Sequence, residues 1–184
     1  MAKITVGLDI GFSSIKVVAL SKDKEQFKLI SLGSIPSPQP GIISDNDSDL
    51  EELANAIKQL LVAAKIDQKE VIVALPESRV FTRVIDDLPF LTDNELSSTI
   101  RYAAEEFIPM SLADVNLNWQ VLVRSDTKGK STKTVVLVIA SPKNVVAKYI
   151  KVLDFAGLHP KVLETEIIAV TRSLVGNNPF QYLV

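Results

Sequence analysis

Asp9, Gly11, Ser13, Ser14 and Lys16 crowd into one short stretch near the start of the chain, "GLDIGFSSIKVV". A glycine followed by two serines lets a backbone turn its N–H groups and two hydroxyls toward one point, as holding phosphate oxygens requires. Lys16 adds a compact positive charge. A carboxylate such as Asp9 helps beside a phosphate when a divalent cation bridges the two anions, and magnesium does so through its bound water. Asp-x-Gly-x-Ser-Ser-x-Lys thus describes phosphate and magnesium chemistry in a hairpin. Glycine and serine also occupy ordinary β-turns without any ligand, so the turn residues alone leave both readings open. A dinucleotide fingerprint is excluded because no helix follows the glycine, and a P-loop because Gly-x-x-x-x-Gly-Lys-Ser is absent.

Strands must position this turn. "KITVGLDI", "SIKVVAL" and "FKLISLGSI" carry β-branched residues or period-two alternation and predict three consecutive strands. "IPSPQPGIISD" is too rich in proline to continue a central strand and predicts a surface loop. From Ser48 the period becomes helical through Leu50, Leu53, Ala54, Ile57, Leu60, Leu61 and Ala64, with Ser48 and Glu51 spaced as a capping box. "EVIVALPES" then reads as an interior strand buried on both faces. The order β-β-β-α-β points to an α/β fold.

After Pro76 the composition becomes more polar. "RVFTRVID" predicts a strand, and Thr92 with Glu95 caps a helix that stops before Pro109. "VNLNWQVLV" and "TVVLVIA" form a long hairpin through "RSDTKGKSTK", the alternating stripe around Trp119 being assigned to core. Ser141 and Pro142 are suited to start the next helix, and Gly157 to end it in a left-handed C-cap. "PKVLET" then reads as a strand, "EIIAVTRSLV" as a helix closed by Gly176, and "PFQYLV" as the start of a further strand. That incomplete strand suggests the N-terminal part of a longer protein, either a natural fragment or an engineered piece.

Composition narrows the function. The 184 residues, 47% hydrophobic, suffice for one substantial core or two small subdomains. Twenty basic against twenty-two acidic residues, with no basic run, lack the footprint of a nucleic-acid binder. The absence of cysteine removes thiolate metal sites and cysteine nucleophiles and suits a reducing compartment. The single histidine, His159, is read as an ordinary loop residue with no partner for zinc or triad chemistry. No secretory leader and no membrane-length apolar run is present, so the expected location is the cytoplasm, with no direct membrane insertion.

Six ordered blocks carry a broader resemblance: "VGLDIGFSSIKVV", "PGIISD", "ALPES" with "RVIDDLPFLTDNEL", "AEEFIPMSLADVNLNWQVL", "VIASPKNVVAKYIKVLDFAGLHPKVLETE" and "IIAVTRSL". Along nearly its whole length the chain resembles the actin-like superfamily of ATP-binding proteins, and within it the PilM family of type IV pilus assembly proteins, which is similar to FtsA. The resemblance implies an actin-like, ribonuclease H-like subdomain 1A over residues 1–77, an inserted smaller α+β subdomain 1C over 78–158, and a return to 1A with the truncated start of a second domain over 159–184.

It also implies roles. Asp9, Gly11, Ser13, Ser14 and Lys16 match the family's first phosphate loop and would contact ATP phosphate, with Asp9 on magnesium through water. Glu166 matches an acidic position near the nucleotide, although a helix N-terminus favours a carboxylate without any ligand. With the opposite wall of the cleft missing, ATP and magnesium are expected to bind weakly or not at all, and efficient catalysis is not expected. The implied partner is the short cytoplasmic N-terminal peptide of a PilN-like inner-membrane protein, taken into a groove between 1A and 1C. Other pilus machinery components are implied as further partners, and the protein would sit peripherally at the inner membrane. An FtsA-like or MreB-like filament protein is an alternative. An actin-superfamily sugar kinase is another, but it needs a carboxylate base and a pocket of convergent polar groups that the sequence does not display.

Overall fold

The computed structural model describes residues 3–24, 26–125 and 133–175; Gly176 and "PFQYLV" lie outside them. Two compact units emerge, one taking the chain to Pro76 and again over Val146–Ser173, the other taking Glu77–Val145.

The first unit is built on a five-stranded sheet. β1 (Lys3–Ile10), β2 (Ser14–Asp23) and β3 (Gln26–Pro36) form an antiparallel meander. β4 (Glu70–Leu75) and β8 (His159–Thr165) extend it in parallel with β1, giving the order β3-β2-β1-β4-β8. The alternation foreseen in the sequence sorts the side chains. Val6, Leu8, Ile10, Ile15, Val17, Ala19, Val71, Val73 and Leu75 are all buried, so one face carries the core. Helix α1 (Asp47–Ala63) covers it with Leu50, Leu53, Ala54, Ile57, Leu60 and Leu61. Close approach is allowed by Gly33, where an added Cβ would lie 2.9 Å from Leu60 Cδ1, and the Ser31 hydroxyl donates to the Ala64 carbonyl at 2.6 Å. The other face is open: Val18, Leu32 and Val162 are exposed. β4 is therefore interior but buried on one face only, with Ile72 and Ala74 half-buried on the other. β3 is an edge strand and exposes Phe27, Leu29, Ile30 and Leu32.

The start of α1 differs from the expected Ser48–Glu51 box. The N-cap is Asn46, without a side-chain cap bond. The Ser44 hydroxyl instead donates to the Asp49 carboxylate at 2.6 Å and accepts from the Asn46 amide at 3.1 Å, so the N-cap lies two residues earlier than Ser48.

The second unit is an antiparallel sheet of β5 (Phe81–Leu88), β7 (Lys133–Pro142) and β6 (Val115–Ser125), in that order, with α2 (Asp93–Phe107) on one face. Leu96 and Ile100 of α2 pack with Val136 and Val138, and Ala104 with Ala140 and Val115. The Thr92–Glu95 capping box is fully formed. The stripe on β6 is core only in part: Leu117 and Val121 pack against the buried cluster, while Trp119 stays 36% exposed because β6 is an edge. β7 continues through Ser141 and Pro142, which pair with Asn116 and Val115, so helix α3 (Lys143–Ala156) starts later than Ser141. Ladder pairing wins there, and proline is tolerated at a strand end.

α3 buries Tyr149, Val152, Leu153 and Ala156. It ends as expected at Gly157, with φ +70° and the Leu158 amide returning to the Leu153 carbonyl at 2.8 Å. His159, expected in a loop, instead begins β8, its amide donating to the Lys69 carbonyl at 2.8 Å. Helix α4 (Glu166–Val175) follows.

Candidate functional site

Parallel strands β1, β4 and β8 end on the same side of the first unit's sheet, and the Gly11–Ser13 turn continues directly from β1. Carboxyl ends of parallel strands are where open α/β sheets gather ligands. The sequence therefore delivers its phosphate-type turn to the edge of the sheet where such chemistry is usually placed.

The turn is tightly held from inside. The Gly11 amide donates to the Ser14 carbonyl at 3.1 Å, and an added Cβ on Gly11 would lie 2.9 Å from that same oxygen. The Gly11 amide is thus spent within the hairpin rather than offered to a ligand. The reciprocal bond from the Ser14 amide to Gly11 is not formed, and among the described residues the Phe12 and Ser13 amides donate to no protein group. Ser13 is exposed and Ser14 half-buried, which leaves two hydroxyls beside these amides.

Asp9 and Lys16 are directly opposed in the β1–β2 ladder, and Lys16 Nζ donates to Asp9 Oδ2 at 3.0 Å. Their side chains are 31% and 60% exposed. An ion pair this wet is worth at most ~1 kcal/mol, so a phosphate for the lysine and a hydrated cation for the aspartate can replace it at small cost.

Register extends the site across the sheet. Lys16 pairs with Ser34, Asp9 with Ala74, and Ala74 with Glu164, so Ser34, Lys16, Asp9, Ala74 and Glu164 form one row on the open face. Asp9 and Glu164 are two strand spacings apart, about 10 Å, with only the small Ala74 side chain between them. Arg172 of α4 donates to Glu164, whose side chain is only 18% exposed. Glu166, the sequence-based candidate, is the first residue of α4 rather than a member of this row. Sequence reasoning missed Glu164 because its neighbourhood with Asp9 runs through β4, ninety residues earlier in the chain. The available signal was the alternation of "KVLET", which places Val162 and Glu164 on one face.

The residues present fit the phosphate end of a magnesium-bound nucleotide. Unengaged amides and serine hydroxyls can donate to phosphate oxygens, Lys16 can neutralise them, and Asp9 can accept from metal-bound water. Among the described residues there is no group of three or more histidine, cysteine or acidic side chains placed to hold a metal directly. No helix among them is long and apolar enough to cross a membrane.

The family described as type IV pilus assembly protein PilM matches residues 7–178. The chain is similar to a solved PilM-PilN type IV pilus biogenesis complex, with 29% identity and a TM-score of 0.77 over 92% of this chain and 49% of that one. It is 26% identical, over 94% of its length, to the cell division protein FtsA of Enterococcus hirae, of which it covers 43%. A likeness of fold extends to the cytoplasmic domain of EpsL, an inner-membrane component of the type II secretion system of Vibrio cholerae, at 16% identity and a TM-score of 0.57, over 91% of this chain and 59% of that one. The chain spans about half the length of the pilus and cell-division proteins it matches.

Proposed function

The chain belongs to the family of the type IV pilus assembly protein PilM, and from that membership we propose that it is part of an adaptor in pilus assembly that binds a PilN-like inner-membrane protein. Its fold is the actin-like one of that family. The similarity to a PilM-PilN complex, across 92% of this chain, carries the partner assignment. The partner supplies a short extended peptide, recognised through backbone hydrogen bonds and side-chain pockets. The protein acts in the cytoplasm and reaches the inner membrane through that partner.

In the longer polypeptide the turn at Gly11–Ser14 holds the phosphates of magnesium-ATP. Asp9 orients metal-bound water, Lys16 and the serines bind phosphate oxygens, and ATP is held with slow hydrolysis at most. Residues 1–77 correspond to subdomain 1A, 78–158 to subdomain 1C, of which 146–158 fall in the first compact unit, and 159–184 to the return to 1A with the start of a second domain. Glu166 stays a candidate for the nucleotide side, with Glu164 now beside it.

The deciding experiment titrates this chain with a synthetic N-terminal peptide of the PilN-like protein from the same genome, following Trp119 fluorescence and calorimetric heat. Saturable one-to-one binding is expected; no binding by the folded chain removes the partner assignment. The likeness to FtsA favours a second reading, a nucleotide-dependent filament protein. Sedimentation of the full-length protein with and without Mg-ATP separates the two: an adaptor stays in the supernatant and a filament pellets.

A further inference from the structure

The segment that follows β3 backs the phosphate-type turn, and it grips the turn by carbonyl oxygens. The Ser37 amide donates to the Ser13 carbonyl at 3.1 Å. Gln39 Nε2 donates to the Phe12 carbonyl at 2.8 Å, with a longer contact of 3.5 Å to the Ser37 carbonyl. A trans peptide is planar, so its N–H points opposite to its C=O. Holding the Phe12 carbonyl toward Gln39 therefore sends the Ser13 N–H the other way. Holding the Ser13 carbonyl toward Ser37 does the same for the Ser14 N–H.

Two successive amides are thus turned away from the backing segment. The Ser13 amide meets no acceptor among the described residues, and the Ser14 amide does not close the turn onto Gly11. Successive N–H groups facing one way form a concavity for an anion. Of the two grips, the one on Phe12 comes from a side chain, and it needs a primary amide, which can donate to both carbonyls where a carboxylate of the same length could donate to neither.

The backing segment is itself anchored. Gly41, at φ +63°, turns the chain beside Ser37, where an added Cβ would lie 3.4 Å from the Ser37 hydroxyl. Beyond it, Lys148 of α3 donates to the Ile43 carbonyl at 3.3 Å and to the Asp45 carboxylate at 2.6 Å. Gln39 therefore hangs from a segment fixed at both ends, by the β2–β3 ladder and by α3.

We propose that Gln39 is a positioning residue of the phosphate site, which pins the Phe12 carbonyl so that the Ser13 and Ser14 amides face a polyphosphate. The proposal rests on the phosphate reading of the turn, and Gln39 touches the turn rather than the ligand.

The test follows backbone amide and carbonyl resonances of the full-length protein by NMR during a titration with Mg-ATP, for the parent and for Gln39→Met. The parent is expected to show saturable shifts at Ser13 and Ser14. Gln39→Met should keep its melting temperature, change the Phe12 carbonyl and Ser13 nitrogen resonances before any ligand is added, and bind about tenfold more weakly, as loss of one hydrogen bond predicts. Unchanged free-state resonances, or equal affinity in the two proteins, overturns the role of Gln39 and leaves the phosphate site standing. Absence of any shift at Ser13 and Ser14 in the parent overturns the phosphate reading itself and this proposal with it. Should Gln39→Met lose stability, Gln39→Glu, which keeps the side-chain shape but cannot donate, provides the same comparison of free-state resonances.

Discussion

Gly11→Ala separates two reasons for a glycine in the phosphate-type turn. Gly11 is not among the residues with positive φ, so an alanine backbone is conformationally allowed there. The obstacle is contact: the new Cβ would stand 2.9 Å from the Ser14 carbonyl oxygen, a backbone atom with no flexible end to yield. Relieving it means moving Ser14, which lengthens or breaks the 3.1 Å bond from the Gly11 amide. Overpacking costs about 1–3 kcal/mol and a lost neutral hydrogen bond about 0.5–1.5 kcal/mol, so a total near 2–3 kcal/mol is expected where the two overlap. Urea unfolding followed by far-ultraviolet circular dichroism reads this as a lower midpoint at unchanged slope. Gly33→Ala is the control, since its neighbour at 2.9 Å is the tip of the Leu60 side chain and its penalty should be smaller. A Gly11→Ala protein within about 0.5 kcal/mol of the parent, the range of neutral surface changes, would refute the steric account and leave ligand approach as the reason for the glycine.

Three further outcomes are expected. Thr134→Val should stabilise the second unit by about 1 kcal/mol in the same urea assay, because the Thr134 hydroxyl is fully buried with no hydrogen-bond partner among the described residues and valine keeps its shape. The hydrogen bonds from the Thr92 hydroxyl and then the Thr92 amide hold the Glu95 carboxyl below its ordinary 4.5. The capping box therefore contributes fully above pH 4.5 and is lost as pH falls through the lower folded value; thermal melts should show this loss, and Glu95→Gln should flatten it. Asp9→Asn should leave stability within about 0.5 kcal/mol, since its ion pair with Lys16 is exposed, and, if the proposed magnesium-ATP site at the turn holds, should remove the magnesium dependence of ATP affinity in the full-length protein.

Local chemistry was legible in the sequence wherever one residue type decides the outcome. Thr92 and Glu95 could close a cap on each other, and Gly157 could adopt the positive φ that ends α3. Period-two alternation located the hairpin strands because each buries one face. The reading failed where a distant group competes. Ser44 and Asp49 captured the start of α1 from Ser48, and pairing with β6 kept Ser141 and Pro142 in β7. Trp119 alternates like a core residue, yet its exposure depends on the edge position of β6, which alternation does not encode. At the candidate site the turn residues were visible as a motif. The row joining Asp9 to Glu164 was not, because strand register, rather than spacing along the chain, creates it.

The edge strand β3 also sets how the protein behaves in concentrated solution. Phe27, Leu29, Ile30 and Leu32 lie exposed along a strand whose outer ladder is unpaired among the described residues, and Lys28 is the one charge within it. Such an edge is a template for sheet-to-sheet sticking, and a single lysine among apolar neighbours is the usual gatekeeper against it. Lys28 thus guards colloidal stability, and replacing it with isoleucine should raise light scattering at high concentration well before it changes the melting temperature.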